Sequence, residues 1–92
     1  MRIDISKFGE PLLSRPAGRE AALTLQSNVL RDLKDGEDVE LDFGKVLVLT
    51  PSWADEFIGV LKEKYGDRVK TVPSDNPSVI LTLKTINKEI AV

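Results

Sequence analysis

Chemistry in this chain has to come from carboxylates, hydroxyls and cationic side chains, because the sequence holds no histidine and no cysteine. His is the usual general base and a common metal ligand, and Cys supplies the reactive thiolate, so catalysis would rest on Asp, Glu, Ser, Lys or Tyr alone. The candidates gather around Thr50, Ser52, Trp53, Asp55 and Glu56, with Asp42 ahead of them and Arg15 and Arg19 far upstream. Asp42, Asp55 and Glu56 could imitate an acid/base or metal cluster, but their spacing matches no known loop such as the EF-hand. The expectation is therefore a binding protein rather than an enzyme, with no metal. Ser52 and Asp55 fit a helix-capping arrangement, the hydroxyl accepting a backbone N–H and the carboxylate sitting where the dipole favours negative charge. A phosphate on Ser52 would meet the same free N–H groups, opposed by Asp55 and Glu56. Trp53 has two readings, a core residue or an exposed anchor for a partner, since Trp is enriched at interface hot spots. Arg15 and Arg19 stand one turn apart near a helix start, where an anion or an acidic partner would offset their unfavourable position; plain solvation is the alternative.

Hydrophobic periodicity supplies the elements that must hold these residues. Ile3 and Ile5 alternate with polar neighbours, and Gly9-Glu10-Pro11 then offers turn chemistry before Leu12-Leu13, which predicts a hairpin. From Pro16 to Leu33 the period is helical, with Ala22, Leu25, Val29, Leu30 and Leu33 on the apolar side, Ser14 as cap and Asp35-Gly36 as terminator. Val39, Leu41 and Phe43 alternate as a strand, and Val46-Leu47-Val48-Leu49 reads as backbone buried on both sides. A second helix carries Ala54, Phe57, Ile58, Leu61 and Tyr65 inward, with Ser52 as its predicted cap and Gly66 at its end. Arg68 to Val72 is a short strand, and Asn76-Pro77 opens a third helix bearing Val79, Ile80, Leu83, Ile86 and Ile90. The order implies an α/β domain: a small mixed β-sheet, N-terminal hairpin plus parallel strands, covered by three helices.

At 92 residues the chain is sized for a single domain over 1–92. Its 13 basic and 15 acidic residues are spread along the sequence for a net charge of −2, which disfavours nucleic acid as a partner. No apolar run approaches a membrane span, and a cysteine-free chain suits the reducing cytoplasm, so a cytoplasmic protein without membrane contact is expected. Oligomeric state is left open.

The stretch Leu41-Asp42-Phe43-Gly44-Lys45-Val46-Leu47-Val48-Leu49-Thr50-Pro51-Ser52-Trp53-Ala54-Asp55-Glu56-Phe57 resembles the strand–turn–helix signature of STAS domains, the family of anti-anti-sigma antagonists. It is more similar to the STAS-like family of unknown function, whose helix start reads Ser-Phe-Ala-Asp-Glu-Leu, here Ser52-Trp53-Ala54-Asp55-Glu56-Phe57. Ser14-Arg15 before a helix also looks like that family. The resemblance implies a four- or five-stranded mixed sheet covered by helices, no cofactor, and regulation through contact with a histidine-kinase-like ATPase or another switch protein. In STAS antagonists a phosphorylated Ser follows an Asp; here Thr50 aligns with the Asp and Pro51 with the Ser. Pro51 carries no hydroxyl, which leaves Ser52, with Thr50 as a displaced second, as the phosphoacceptor candidates. The docking surface expected from this is Thr50, Ser52, Trp53, Asp55 and Glu56. The alternative is an anion- or nucleotide-sensing domain using Arg15, Arg19 and the start of the second helix. An exposed Trp53 favours docking, and a pocket joining Arg15 to that helix start favours the anion.

Overall fold

The computed structural model describes residues 1–8, 12–72 and 74–90, with side chains as far as 86. Three strands, β1 (Arg2–Asp4), β2 (Val39–Asp42) and β3 (Val69–Thr71), form a parallel sheet in the order β1-β2-β3. Three helices, α1 (Arg15–Asn28), α2 (Pro51–Tyr65) and α3 (Pro77–Ile90), supply the rest of the frame. The register sets Ile3 beside Leu41 and Val39 beside Val69, so Ile3, Val39, Leu41 and Val69 turn one way into the core. Arg2, Asp4, Glu40 and Lys70 alternate onto the opposite, polar face. No helix among the described residues is long and apolar enough to cross a membrane.

The α/β class with three helices is as the periodicity implies, but the described sheet is parallel rather than mixed. Among the described residues the predicted hairpin does not form. After β1 the chain enters a 3₁₀ turn over Ile5–Phe8, because the Asp4 carboxylate accepts both the Ser6 N–H (3.0 Å) and the Ser6 hydroxyl (2.7 Å). Such a short polar loop competes directly with strand extension. Leu12 instead bridges in parallel to Leu49, and the predicted turn at Gly9-Glu10-Pro11 lies outside the described residues. The bond from Ser6, helped by Lys45 at 3.8 Å, holds the Asp4 carboxyl below its usual range. A depressed folded pKa means its contribution is present above the unfolded value, near 4, and is lost as pH falls through the folded one. Urea midpoints at neutral and acidic pH should therefore differ less in Asp4→Asn than in the parent.

The run Val46–Leu49 is a second correction. Val46 and Leu49 are buried, whereas Leu47 is 73% and Val48 46% exposed. A turn closes at Val46 N–H to Phe43 C=O (3.0 Å), and side chains from α3 then bond the backbone where a neighbouring strand would have. Asn76 Nδ2 donates to Val46 C=O at 2.6 Å, Ser78 Oγ accepts from Leu49 N–H at 3.2 Å, and Thr82 Oγ1 donates to Leu49 C=O at 2.7 Å. Asn76 also caps α3, accepting the Ser78 N–H at 2.9 Å with Pro77 in the first position, as expected. Ile80 is more exposed than its helical stripe implies, at 40%, and the Ile90 side chain lies outside the described ones.

The first helix ends earlier than Leu33. Its α-form stops at Asn28 and tightens into a 3₁₀ turn over Leu30–Asp32, which swings Leu30 into the core and leaves Val29 outside. Ser14 caps its start by accepting the Ala17 N–H, as predicted. Gly66 ends α2 with φ 56° and ψ −131°, positive in φ but outside the left-handed helical region expected of it.

Candidate functional site

The start of α2 lies at the carboxyl edge of the sheet, where open α/β folds commonly bind their ligands. Its cap is Thr50, not Ser52. Thr50 Oγ1 accepts the Trp53 N–H at 3.4 Å and donates toward Leu13 C=O at 2.8 Å and Leu12 C=O at 3.1 Å. Pro51 explains the shift: it has no N–H and a fixed φ suited to the first helical position, so the capping residue must precede it. Ser52 therefore stands inside the first turn, exposed to solvent. Thr50→Ala should cost about 1 kcal/mol, whereas Ser52→Ala should stay within about 0.5 kcal/mol, as urea denaturation will read directly.

Trp53 is 2% exposed, which decides between its two readings in favour of the core. Its ring lies 4.7 Å from Phe57 and 6.5 Å from Phe8, and Phe8 stands 5.6 Å from Phe57, so three rings close on one another. The backbone of Trp53 is met by α1, brought unusually near at Gly18. A Cβ on Gly18 would fall 2.4 Å from the Trp53 carbonyl oxygen, so only a residue without a side chain permits this crossing. Sequence reading passed over Gly18. Its signal was a glycine in a helix interior, a position that costs about 1 kcal/mol relative to Ala and so asks for a packing reason.

The close crossing brings the charged rims of the two helices together. Arg15 Nη1 meets Asp55 Oδ2 at 2.8 Å and Glu56 Oε2 at 3.5 Å, and Arg19 Nη1 meets Glu56 Oε1 at 3.4 Å. The bond to Asp55 raises the Arg15 pKa above its already high ordinary value. Both guanidiniums are about half exposed, so solvent screening leaves each pair little weight in stability. Their effect on chemistry is larger, because the positive charge an anion would seek is already neutralised. The adjoining groove, of about 290 Å³, is lined by Arg19, Asp55, Glu56 and Glu63 with Gly59 and Val60, and so presents more carboxylates than cations. Arg15 does not line it, so this groove does not join Arg15 to the start of α2. Asp42 accepts the Gly44 N–H at 2.9 Å and so caps the turn after β2.

Around the same helix start the structure exposes apolar side chains that sequence reading had placed inside or ignored. Leu13 is 49%, Val48 46% and Leu47 73% exposed. Leu13 is fixed beside Thr50 by the threonine hydroxyl, and Leu47 and Val48 sit in the segment fastened to α3. Leu81, 68% exposed, lies on α3 between Ser78 and Thr82, the two residues bonded to Leu49.

Compared with known proteins, residues 24–90 match a family model described as a STAS-like domain of unknown function. No curated protein and no solved structure matches. The matched segment runs from within α1 through β2, the Leu47–Thr50 segment and α2 to α3, and leaves Ser14-Arg15 outside it. With that match over most of its length, on a parallel α/β frame, the chain belongs to the family of STAS-like domains of unknown function.

Proposed function

We propose that this STAS-like domain is a regulatory protein-binding module whose binding face is the carboxyl edge of the sheet around Pro51 and Ser52. The observation that carries the reading is the exposure of Leu13, Leu47 and Val48 on backbone that hydrogen bonds hold in place. Exposed apolar side chains gathered on a fixed frame are what a protein partner can cover, and their burial is the usual source of binding energy. Leu47 and Val48 take the anchoring role that the sequence suggested for Trp53. Asp55 and Glu56 form the charged rim, held in place by Arg15 and Arg19. No cofactor enters this reading, and the protein acts by contact rather than by catalysis.

The partner proposed is a histidine-kinase-like ATPase of a bacterial partner-switching pathway in the cytoplasm. Ser52 is the candidate phosphoacceptor in that scheme, since it is exposed at a helix start whose neighbouring carboxylates are already paired. Thr50 is the poorer one, because its hydroxyl is bonded at both ends. Calorimetric titration of such an ATPase with the parent domain should give a saturable complex, weakened about tenfold by Ser52→Glu, or about 1.4 kcal/mol. Unchanged affinity for Ser52→Glu would remove the phospho-switch, and absence of any complex would remove this class of partner. The anion-sensing alternative draws no support from the paired arginines and acid-lined groove.

A further inference from the structure

The open edge of the sheet at β1 is built to pair with itself, and we infer that two copies of this chain associate there through antiparallel β1 strands. Glu40 N–H bonds to Met1 C=O at 2.8 Å, and with the register Arg2 to Glu40 and Ile3 to Leu41 this turns Met1 and Ile3 toward β2. The N–H and C=O groups of Arg2 and Asp4 consequently face away from the sheet, and of these the Asp4 C=O also opens the 3₁₀ turn over Ile5–Phe8, which takes one of its two lone pairs. Antiparallel pairing about a two-fold axis at Ile3 sets Arg2 of one copy against Asp4 of the other, and each such pair exchanges both backbone hydrogen bonds.

The side chains fit this register. Across the polar face, Lys70, Glu40 and Arg2 form a row of alternating charge that ends at the open edge, with Arg2 3.6 Å from Glu40. Asp4 of a second copy continues that row with the next negative charge. In the neighbouring row Asp4 and Asp42 lie side by side with like charge, and the cations acting on Asp4 are Lys45 at 3.8 Å and Lys7. Arg2 of the second copy supplies a further one. Opposite charges facing each other across strands are stabilising and like charges destabilising, so the row selects a copy in this register. Along the same edge a groove of about 340 Å³ is lined by Ile3, Phe8 and Val29 together with Arg2, Asp4 and Lys7, and its apolar side is open to receive the second Ile3. Edges are commonly guarded by short strands, charge or a proline; this one is short and charged, but its charges are opposite at alternate positions, which makes it self-complementary.

The test is hetero-pairing of charge-swapped chains by analytical ultracentrifugation. The parent should show a concentration-dependent monomer–dimer equilibrium. Arg2→Glu places two acids opposite each other and Asp4→Lys two bases, so each variant alone should dissociate at least tenfold more readily. An equimolar mixture should recover dimer, since each acidic edge then meets a basic one. Circular dichroism checks that Asp4→Lys folds without its bond to Ser6; if it does not, Arg2→Glu is read with amide exchange. The Arg2 and Asp4 amides of the parent should then gain protection as its concentration rises, and those of Arg2→Glu should not. A parent that stays monomeric at millimolar concentration would overturn the inference. So would variants that dimerise like the parent, a mixture that does not recover, or exchange at Arg2 and Asp4 that ignores concentration.

Discussion

Trp53→Ala is expected to lose about 3–5 kcal/mol of stability, the usual cost of truncating a fully buried aromatic residue. The ring is 2% exposed and stacks against Phe57 at 4.7 Å, so its removal leaves a cavity beneath the α1–α2 crossing that the neighbouring rings cannot fill. Native domains rest on only about 5–15 kcal/mol, so much of this one's stability would go, and its melting temperature should fall by roughly 4–8 °C for each kcal/mol. Loss of binding by this variant would therefore report unfolding rather than a lost contact. A folded Trp53→Ala within about 1 kcal/mol of the parent would contradict the core assignment, because exposed substitutions have that scale.

Gly18→Ala should destabilise by about 2 kcal/mol even though Ala is the better helix former by about 1 kcal/mol. The added methyl would lie 2.4 Å from the Trp53 carbonyl oxygen and 3.2 Å from its carbon, and both belong to helix backbone that cannot rotate away. The helices must separate, which also stretches the 2.8 Å bond from Arg15 to Asp55. Gly59→Ala provides the opposite sign. It lies in α2, and a methyl group there would meet nothing within 4 Å, so propensity alone should act and stabilise by about 0.5–1 kcal/mol. Paired urea titrations of the two variants separate a close helix crossing from a general effect of helical glycine. Equal shifts of the same sign would refute the crossing as the element that aligns the site.

Periodicity was enough to find all three helices and strands β2 and β3, because each buries one face and the apolar residues must repeat accordingly. It failed where a polar side chain took over the backbone. Asp4 and Ser6 closed a turn that the alternation of Ile3 and Ile5 could not reveal, and Asn76, Ser78 and Thr82 bonded a segment whose apolar run looked like a buried strand. An apolar run has no alternation to say which of its members face out, so Leu47 and Val48 were assigned inward with Val46 and Leu49. The cap was legible and misread: Pro51 marks the first helical position, which makes Thr50 the residue before it. The pairing of Arg15 with Asp55 was not legible, because it depends on a crossing that only the folded chain sets.

The central claim, that the carboxyl edge is the face that meets the partner, is tested most directly by affinity of one variant pair measured beside its stability. Leu47→Lys with Val48→Lys places charge on side chains that are 73% and 46% exposed, so the urea midpoint should hardly move. Binding to the histidine-kinase-like ATPase should weaken about thirtyfold or more, since anchors at the centre of an interface carry 2 kcal/mol or roughly more. Leu23→Lys, also solvent-facing, on α1 at 41%, is the control and should bind as the parent does. Parent-like affinity of the Leu47→Lys, Val48→Lys chain, with its fold intact, would contradict the assignment of this edge as the binding face.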